Sequence, residues 1–273
     1  MRRRVIGALA IVLILALGAG VGYAQRIFAG FYGSTPPRWP TATSFQGSFT
    51  FCRAMFQSNR REKRGWDTDY PGADINFSIR LSELTKARVT RQDNSDEPEY
   101  VVVRLTDPDL FRCPFVLMED AGTMFLNQAE VVKFREYLLK GGFVFSSDYW
   151  GPLAREQFDQ QIGRVLPRDQ FPIVDLTMDQ AIWHTQFQLQ DVPQMPSIQA
   201  WRRTGGNTDR GVTDPVDARG IVDAHGRLMV VMIHNSDIPD GWEREGEDPE
   251  YFYRFSPDAY SVGINVLLYA ITH

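Results

Sequence analysis

Glu119 and Asp120, Ser147 and Asp148 with Trp150, and His234 followed by Asp237, Asp240 and Trp242 are the groups in this sequence whose side chains could do chemistry together. Each group closes a short apolar run: CPFVLM, GGFVF and RLMVVMI. Runs of this length without polar alternation suit strands of a sheet that is covered on both faces. In an open parallel sheet, ligands gather beyond the carboxyl ends of the strands. The three polar ends are therefore expected to meet in one cleft formed by Asp120, Asp148, Trp150, His234, Asp237, Asp240 and Trp242. Carboxylates beside two indoles suit a polar ligand, a sugar or a divalent cation. Carboxylates so close repel, by about 1 kcal/mol per pair at ~4 Å in water and by more when desolvated. Such a cluster requires a bound cation, a nearby Arg or a proton held at a raised pKa. The plainer alternative is that these side chains cap helices and close turns, as Asp and Asn commonly do.

Ser147, His234 and Asp148 also supply a nucleophile, a base and an orienting acid, the parts of a serine hydrolase. No G-x-S-x-G elbow surrounds Ser147, however. His184, in IWHTQF, reads as a structural histidine, His225 in DAHGR lies in a turn, and His273 is the last residue. The four histidines show no H-x-x-x-H spacing and the two cysteines cannot make a four-ligand zinc site. A net charge of −5 excludes the electrostatic footprint of a nucleic-acid binder. The basic run REKRG reads as a solvated loop.

The elements that must position these residues follow from patterning. At 43% hydrophobic, the 273-residue chain can fill a sizeable core. GSFTFCRAMF alternates as a strand. Further on, Ala73, Ile75, Phe77, Ile79 and Leu81 alternate like a strand, whereas Ile75, Ile79 and Leu84 keep helical spacing. Arg80, Glu83 and the lack of turn residues favour the helix. YVVVRL and CPFVLMED are strands. Asn127 and Glu130 form a capping-box pattern, Val131, Phe134 and Leu138 share a face behind it, and Gly141 ends that helix. GGFVFSSDYWG then completes a βαβ unit, which joins parallel strands. Phe158, Ile162 and Val165 mark another helix. Residues 193–220, with Gly205-Gly206 and Asp214-Pro215, read as a long loop, a flap or an exposed insertion. RLMVVMIH is a further strand, and Ser256 as N-cap with Pro257 at the first helical position opens a last helix. The pattern predicts one α/β domain over 46–273 with parallel strands covered on both faces.

Arg2, Arg3 and Arg4 precede an uncharged apolar stretch over 5–24, with Gly22 and Ala24 ahead of Gln25. This is either a cleaved signal peptide or, at about 20 residues, an uncleaved anchor able to cross a ~30 Å bilayer core. Both readings export the rest of the chain, into the periplasm or onto the inner membrane facing it. Residues 25–45, including STPPRWPTATS, read as an extended spacer. In an oxidising compartment Cys52 and Cys113 either pair or remain free thiols.

Taken in order, FTFCRAMF, DYPGADINFSIRLSELT, LTDPDLFRCPFVLMED, YLLKGGFVFSSDYWG, DGWE and YSVGINVLLYAITH resemble the bacterial domain of unknown function 4159, from about Ser48 to His273. The resemblance implies a class I glutamine-amidotransferase-like (flavodoxin-like) fold, an open, mostly parallel sheet with helices on both faces, behind a signal or membrane segment. It also implies a neighbourhood of aerotolerance-regulator-type membrane regions, von Willebrand A-type proteins and MoxR-type ATPases. No activity is established for the family. A true amidotransferase presents a nucleophilic Cys within G-x-C-x-G at the elbow after the βαβ unit. The matching segment here, FVFSSDYWG, has Ser146, Ser147 and Asp148 with no Cys, and Phe145 and Tyr149 stand in place of the glycines. Amidotransferase chemistry is therefore not expected. The sequence points to an exported, non-enzymatic binding or assembly domain of the bacterial envelope. Its expected partners are membrane or envelope proteins, and no cofactor is expected, a bound divalent cation being the alternative. The competing reading is a hydrolase of an envelope polymer or carbohydrate working through Ser147, His234 and Asp148.

Overall fold

The computed structural model describes residues 35–58 and 65–273. The signal or anchor segment, residues 25–34 of the spacer and the basic run at 61–64 lie outside the described residues. Strands β1 (Phe51–Met55), β3 (Tyr100–Arg104), β4 (Val116–Glu119), β6 (Val144–Ser147) and β9 (Leu228–His234) run parallel to one another. With β7 (Ile173–Asp175) and β8 (Asp217–Val222) they form a seven-stranded sheet of order β3-β1-β4-β6-β9-β8-β7. β8 pairs antiparallel with both of its neighbours. Two short strands, β2 (Gln57–Ser58) and β5 (Met124–Phe125), pair antiparallel apart from that sheet. The helices are α1 (Gly72–Leu84), α2 (Gln128–Leu139), α3 (Gly151–Val165), α4 (Ile198–Thr204), α5 (Asp240–Glu243) and α6 (Pro249–Thr272). Among the described residues no helix is long and apolar enough to cross a membrane.

Every residue of β4, β6 and β9 is buried, which is why these strands carry unbroken apolar runs. The capping box of α2 is formed: Glu130 N donates to Asn127 Oδ1 at 3.0 Å and Asn127 N donates to Glu130 Oε2 at 2.8 Å. The ambiguous segment at 72–84 is helix, burying Phe77 and Leu81. The last helix starts earlier than Ser256. Asp248 caps it, accepting from Glu250 N and Tyr251 N, and Pro249 takes the first turn. The sequence carries the cap-plus-proline signal twice, and burial of Tyr251 and Phe255 selects the first copy. Pro257 is then absorbed inside the helix at the loss of a backbone bond.

The packed body also begins before Gln46. The Arg38 carbonyl accepts the Val102 N–H at 2.8 Å, Arg104 stacks on Trp39, and buried Ser44 donates to Glu99 at 2.9 Å. Part of the expected spacer thus covers the outer edge of β3 and hides its unpaired backbone groups. The stretch read as a loop at 193–220 contains α4 and the start of β8.

The chain leaves β1 through α1 toward β3 on one side, and leaves β4 through α2 toward β6 on the other. Right-handed crossovers then put α1 and α2 on opposite faces. Phe77 packs edge-on to Phe51 and shares one buried cluster with Phe115, Phe145, Ile233 and α6 residues such as Val262 and Ile264. Gly263 is required here, because a Cβ would stand 2.3 Å from the Trp242 ring. The change of direction makes the crevice beyond β1 and β4 the topological switch point, the place where open α/β sheets take ligands.

Candidate functional site

Arg53, on β1, forms the floor of that crevice and is fully buried. Its Nε spans both Asp74 oxygens at 3.1 Å, and Nη1 donates to the Trp66 and Thr68 carbonyls and to Glu119 Oε2. A charge inside a sheet covered on both faces persists only when matched this fully. Burial opposes the guanidinium charge, but Asp74 and Glu119 outweigh it and raise the Arg53 pKa. Glu119 is only half satisfied: its Oε1 is buried with no hydrogen-bond partner among the described residues.

Asp120, Asp148 and Asn235 directly follow β4, β6 and β9, and all three adopt left-handed backbone, at φ of 44°, 54° and 58°. Non-glycine residues held there cost about 1–3 kcal/mol each and concentrate at functional sites. Pairing between β6 and β9 extends past the strands to hold these turns, with Asp148 N donating to Ser236 O and Asn235 N to Tyr149 O, both at 3.0 Å. Arg210, itself at φ 53°, reaches in from the long loop. Its Nη1 donates to Asp120 Oδ1 at 3.0 Å and its Nη2 to the two Asp148 oxygens at 3.1 and 3.0 Å. Asp148 Oδ1 also accepts from Trp150 Nε1 at 3.1 Å. Burial pushes Asp148 up to about 7, against the pull of Arg210. The segment read as a flap therefore supplies the arginine that clustered carboxylates require.

Asp69 joins from the loop before α1, again with left-handed backbone at φ 58°. Carboxylate oxygens of Asp69, Glu119 and Asp237 lie within 4.8 Å of one another, and those of Asp69, Asp240 and Glu243 form a second such group. The second group is well provided for. Asp240 Oδ2 accepts from Ile198 N at 2.7 Å and from the Tyr251 hydroxyl at 2.9 Å, while Arg244 pairs with both Asp240 and Glu243. Burial raises Asp240 to about 6. In the first group, burial and then neighbouring carboxylates hold Asp69 and Asp237 well above the ordinary range, and burial brings Glu119 to about 8 despite Arg53. These are the residues fit to hold a metal.

A family model described as a domain of unknown function, DUF4159, matches residues 54–271. The chain belongs to the DUF4159 family. Comparison with curated proteins gives no match. The matched stretch contains every carboxylate of the DUF4159 site together with Arg210, and Arg53 stands one residue ahead of it.

The other residues singled out in the sequence of this DUF4159 domain fall in different places. Ser147 Oγ donates to Ser236 O at 2.9 Å and accepts from Ile238 N at 3.3 Å. His234 Nε2 meets the Gly151 carbonyl at 2.9 Å, its ring lies 5.1 Å from Tyr149, and burial lowers its pKa. Among the described residues no hydrogen bond joins Ser147 to His234. Trp150 borders an open groove of about 470 Å³ along α3. Trp242 is fully buried, 4.6 Å from Phe77, so it stands in the core and not on a cleft wall. Cys52 and Cys113 are disulfide-bonded, with Cα atoms 6.0 Å apart. Arg53, Asp69 and Arg210 escaped the sequence reading. Arg53 had a usable signal, since a lone arginine within a buried strand demands a buried carboxylate partner.

Proposed function

We propose that this DUF4159 chain is an exported, non-enzymatic binding or assembly domain of the bacterial envelope, on an amidotransferase-like sheet whose nucleophile position carries a carboxylate. The observation that carries the proposal is the turn between β6 and α3. Asp148 occupies its strained position and is clamped by Arg210 and Trp150, while the Ser147 hydroxyl is engaged by backbone groups of the segment after β9. A serine nucleophile needs its base within hydrogen-bond reach, and His234 is turned to the Gly151 carbonyl. Export is supported by Arg2–Arg4 ahead of the apolar stretch, and by a disulfide of the kind that persists in oxidising compartments. Membrane or envelope proteins are the proposed partners, von Willebrand A-type and MoxR-associated ones among them through the family resemblance.

Two measurements test this. Residues 1–40 fused to a reporter active only outside the cytoplasm should give activity, and a silent reporter overturns export. Ser147→Ala should leave the envelope phenotype and partner binding of the cell's own protein intact. Loss of both, with the fold preserved by circular dichroism, would transfer the case to the hydrolase.

A further inference from the structure

We propose that Asp69, Glu119 and Asp237 together bind one oxygen-seeking divalent cation, Ca²⁺ or Mg²⁺, in the crevice beyond β1 and β4. The inference deepens the reading of the strand-end face as a binding face and names a ligand class for it.

The geometry suits a single ion. Opposed oxygens in a hard-cation shell are separated by twice the metal–oxygen distance, about 4.2 Å for Mg²⁺ and about 4.8 Å for Ca²⁺. The three carboxylates offer oxygens within 4.8 Å of one another, so no two of them are farther apart than opposed oxygens of one Ca²⁺ shell. The donor set consists of carboxylates without imidazole or thiolate, which selects Mg²⁺ or Ca²⁺ over zinc or copper.

A second observation is independent of the clustering. Glu119 is fully buried, and Arg53 fixes its Oε2, which sets the direction of Oε1. That Oε1 is shielded from solvent and lacks a hydrogen-bond partner among the described residues, as does Asp69 Oδ2. A shielded carboxylate oxygen with nothing to accept from is costly, and a cation between Glu119 and Asp69 removes that cost.

The distribution of arginines points to the same spot. Arg53 serves Asp74 and one oxygen of Glu119, Arg210 serves Asp120 and Asp148, and Arg244 serves Asp240 and Glu243. Among the described residues Asp69 and Asp237 have no ion pair. Among the described residues Asp237 Oδ1 accepts the Asp240 N–H alone, at 3.2 Å. The positive charge missing from the cluster is thus localised to one place, at the topological switch point.

The test uses the full chain, purified in detergent, stripped with a chelator and titrated calorimetrically at pH 7.5. CaCl₂ and MgCl₂ form separate arms, with NaCl at matched ionic strength as control. The expected result is one ion bound per chain in at least one divalent arm, with a melting midpoint raised by several degrees that NaCl does not reproduce. Asp69→Asn, in a half-buried loop and therefore safe for folding, should weaken binding at least tenfold, and Asp237→Asn should do the same. Glu136→Gln, whose exposed carboxylate pairs with Lys133 and Lys140 on α2, should leave affinity within about twofold. Absence of saturable binding in both arms overturns the proposal, and so does undiminished binding by Asp69→Asn. A failed titration leaves the export and Ser147 results untouched, so the two readings fail separately.

Discussion

Replacing Arg210 by Met keeps the aliphatic stem and removes the charge that spans Asp120 and Asp148. Each contact is an ion pair at 3.0 Å between nitrogen and oxygen, with both carboxylates almost fully buried and Arg210 31% exposed. With charge centres about 4 Å apart and an effective dielectric near 20, each pair is worth up to about 4 kcal/mol. Solvent at the exposed arginine cuts this by roughly half or more, and the stranded carboxylates limit the loss further by taking up protons. The net cost expected at pH 8 is about 3 kcal/mol, or roughly 6–12 °C in melting midpoint for a body of this size. Asp148 titrates at about 7 even with Arg210 in place. At pH 5.5 it is therefore mostly neutral, and the cost should fall to about 1 kcal/mol. Circular-dichroism melts of both proteins at the two pH values, in chelator, make the measurement. Adding Asp148→Asn to Arg210→Met should recover stability at pH 8, because the unpaired charge is then gone. An equal loss at both pH values, or less than about 1 kcal/mol at pH 8, would show that Arg210 does not serve as the counter-charge of this cluster.

The same carboxylate predicts a pH slope in the unmodified protein. Its pKa is raised from 3.8 to about 7 on folding, so between these values the native state holds a proton that the unfolded state has lost. Stability should therefore fall as pH rises through that window, and urea melts of Asp148→Asn should show a flatter slope. Reducing Cys52–Cys113, which closes a separation of 61 residues, should cost about 4 kcal/mol on the loop-entropy estimate. Melts with and without dithiothreitol measure that loss, and an unchanged midpoint would deny the bond a role in stability. Ser147→Ala removes a hydroxyl bonded to Ser236 and Ile238 and should cost about 1–2 kcal/mol in urea melts, a structural loss distinct from any catalytic one.

Local patterns in the sequence determined much of this protein. Unbroken apolar runs identify β4, β6 and β9 because a strand covered on both faces has no polar side to show. The Asn127–Glu130 capping box marks the start of α2, and the βαβ spacing makes β4 and β6 parallel. Parallel strands end on the same side, so Glu119, Asp120, Asp148 and Asp237 are legible as one acidic edge in the sequence alone. Where signals were short or duplicated, local reading fell short. β7 and β8 are too brief and too mixed to show a period, and packing of Tyr251 and Phe255 chose Asp248 over Ser256 as the start of α6. How the acidic edge is neutralised was decided only by the tertiary structure. Arg53 meets Glu119 across 66 residues and Arg210 meets Asp120 across 90. Such partners leave no trace in spacing, because the sheet and the loop path, not the chain between them, bring them within reach. Asp69 is the same case: only the turn ahead of α1 carries it to Glu119 and Asp237, and that approach is a property of packing, which no local pattern encodes.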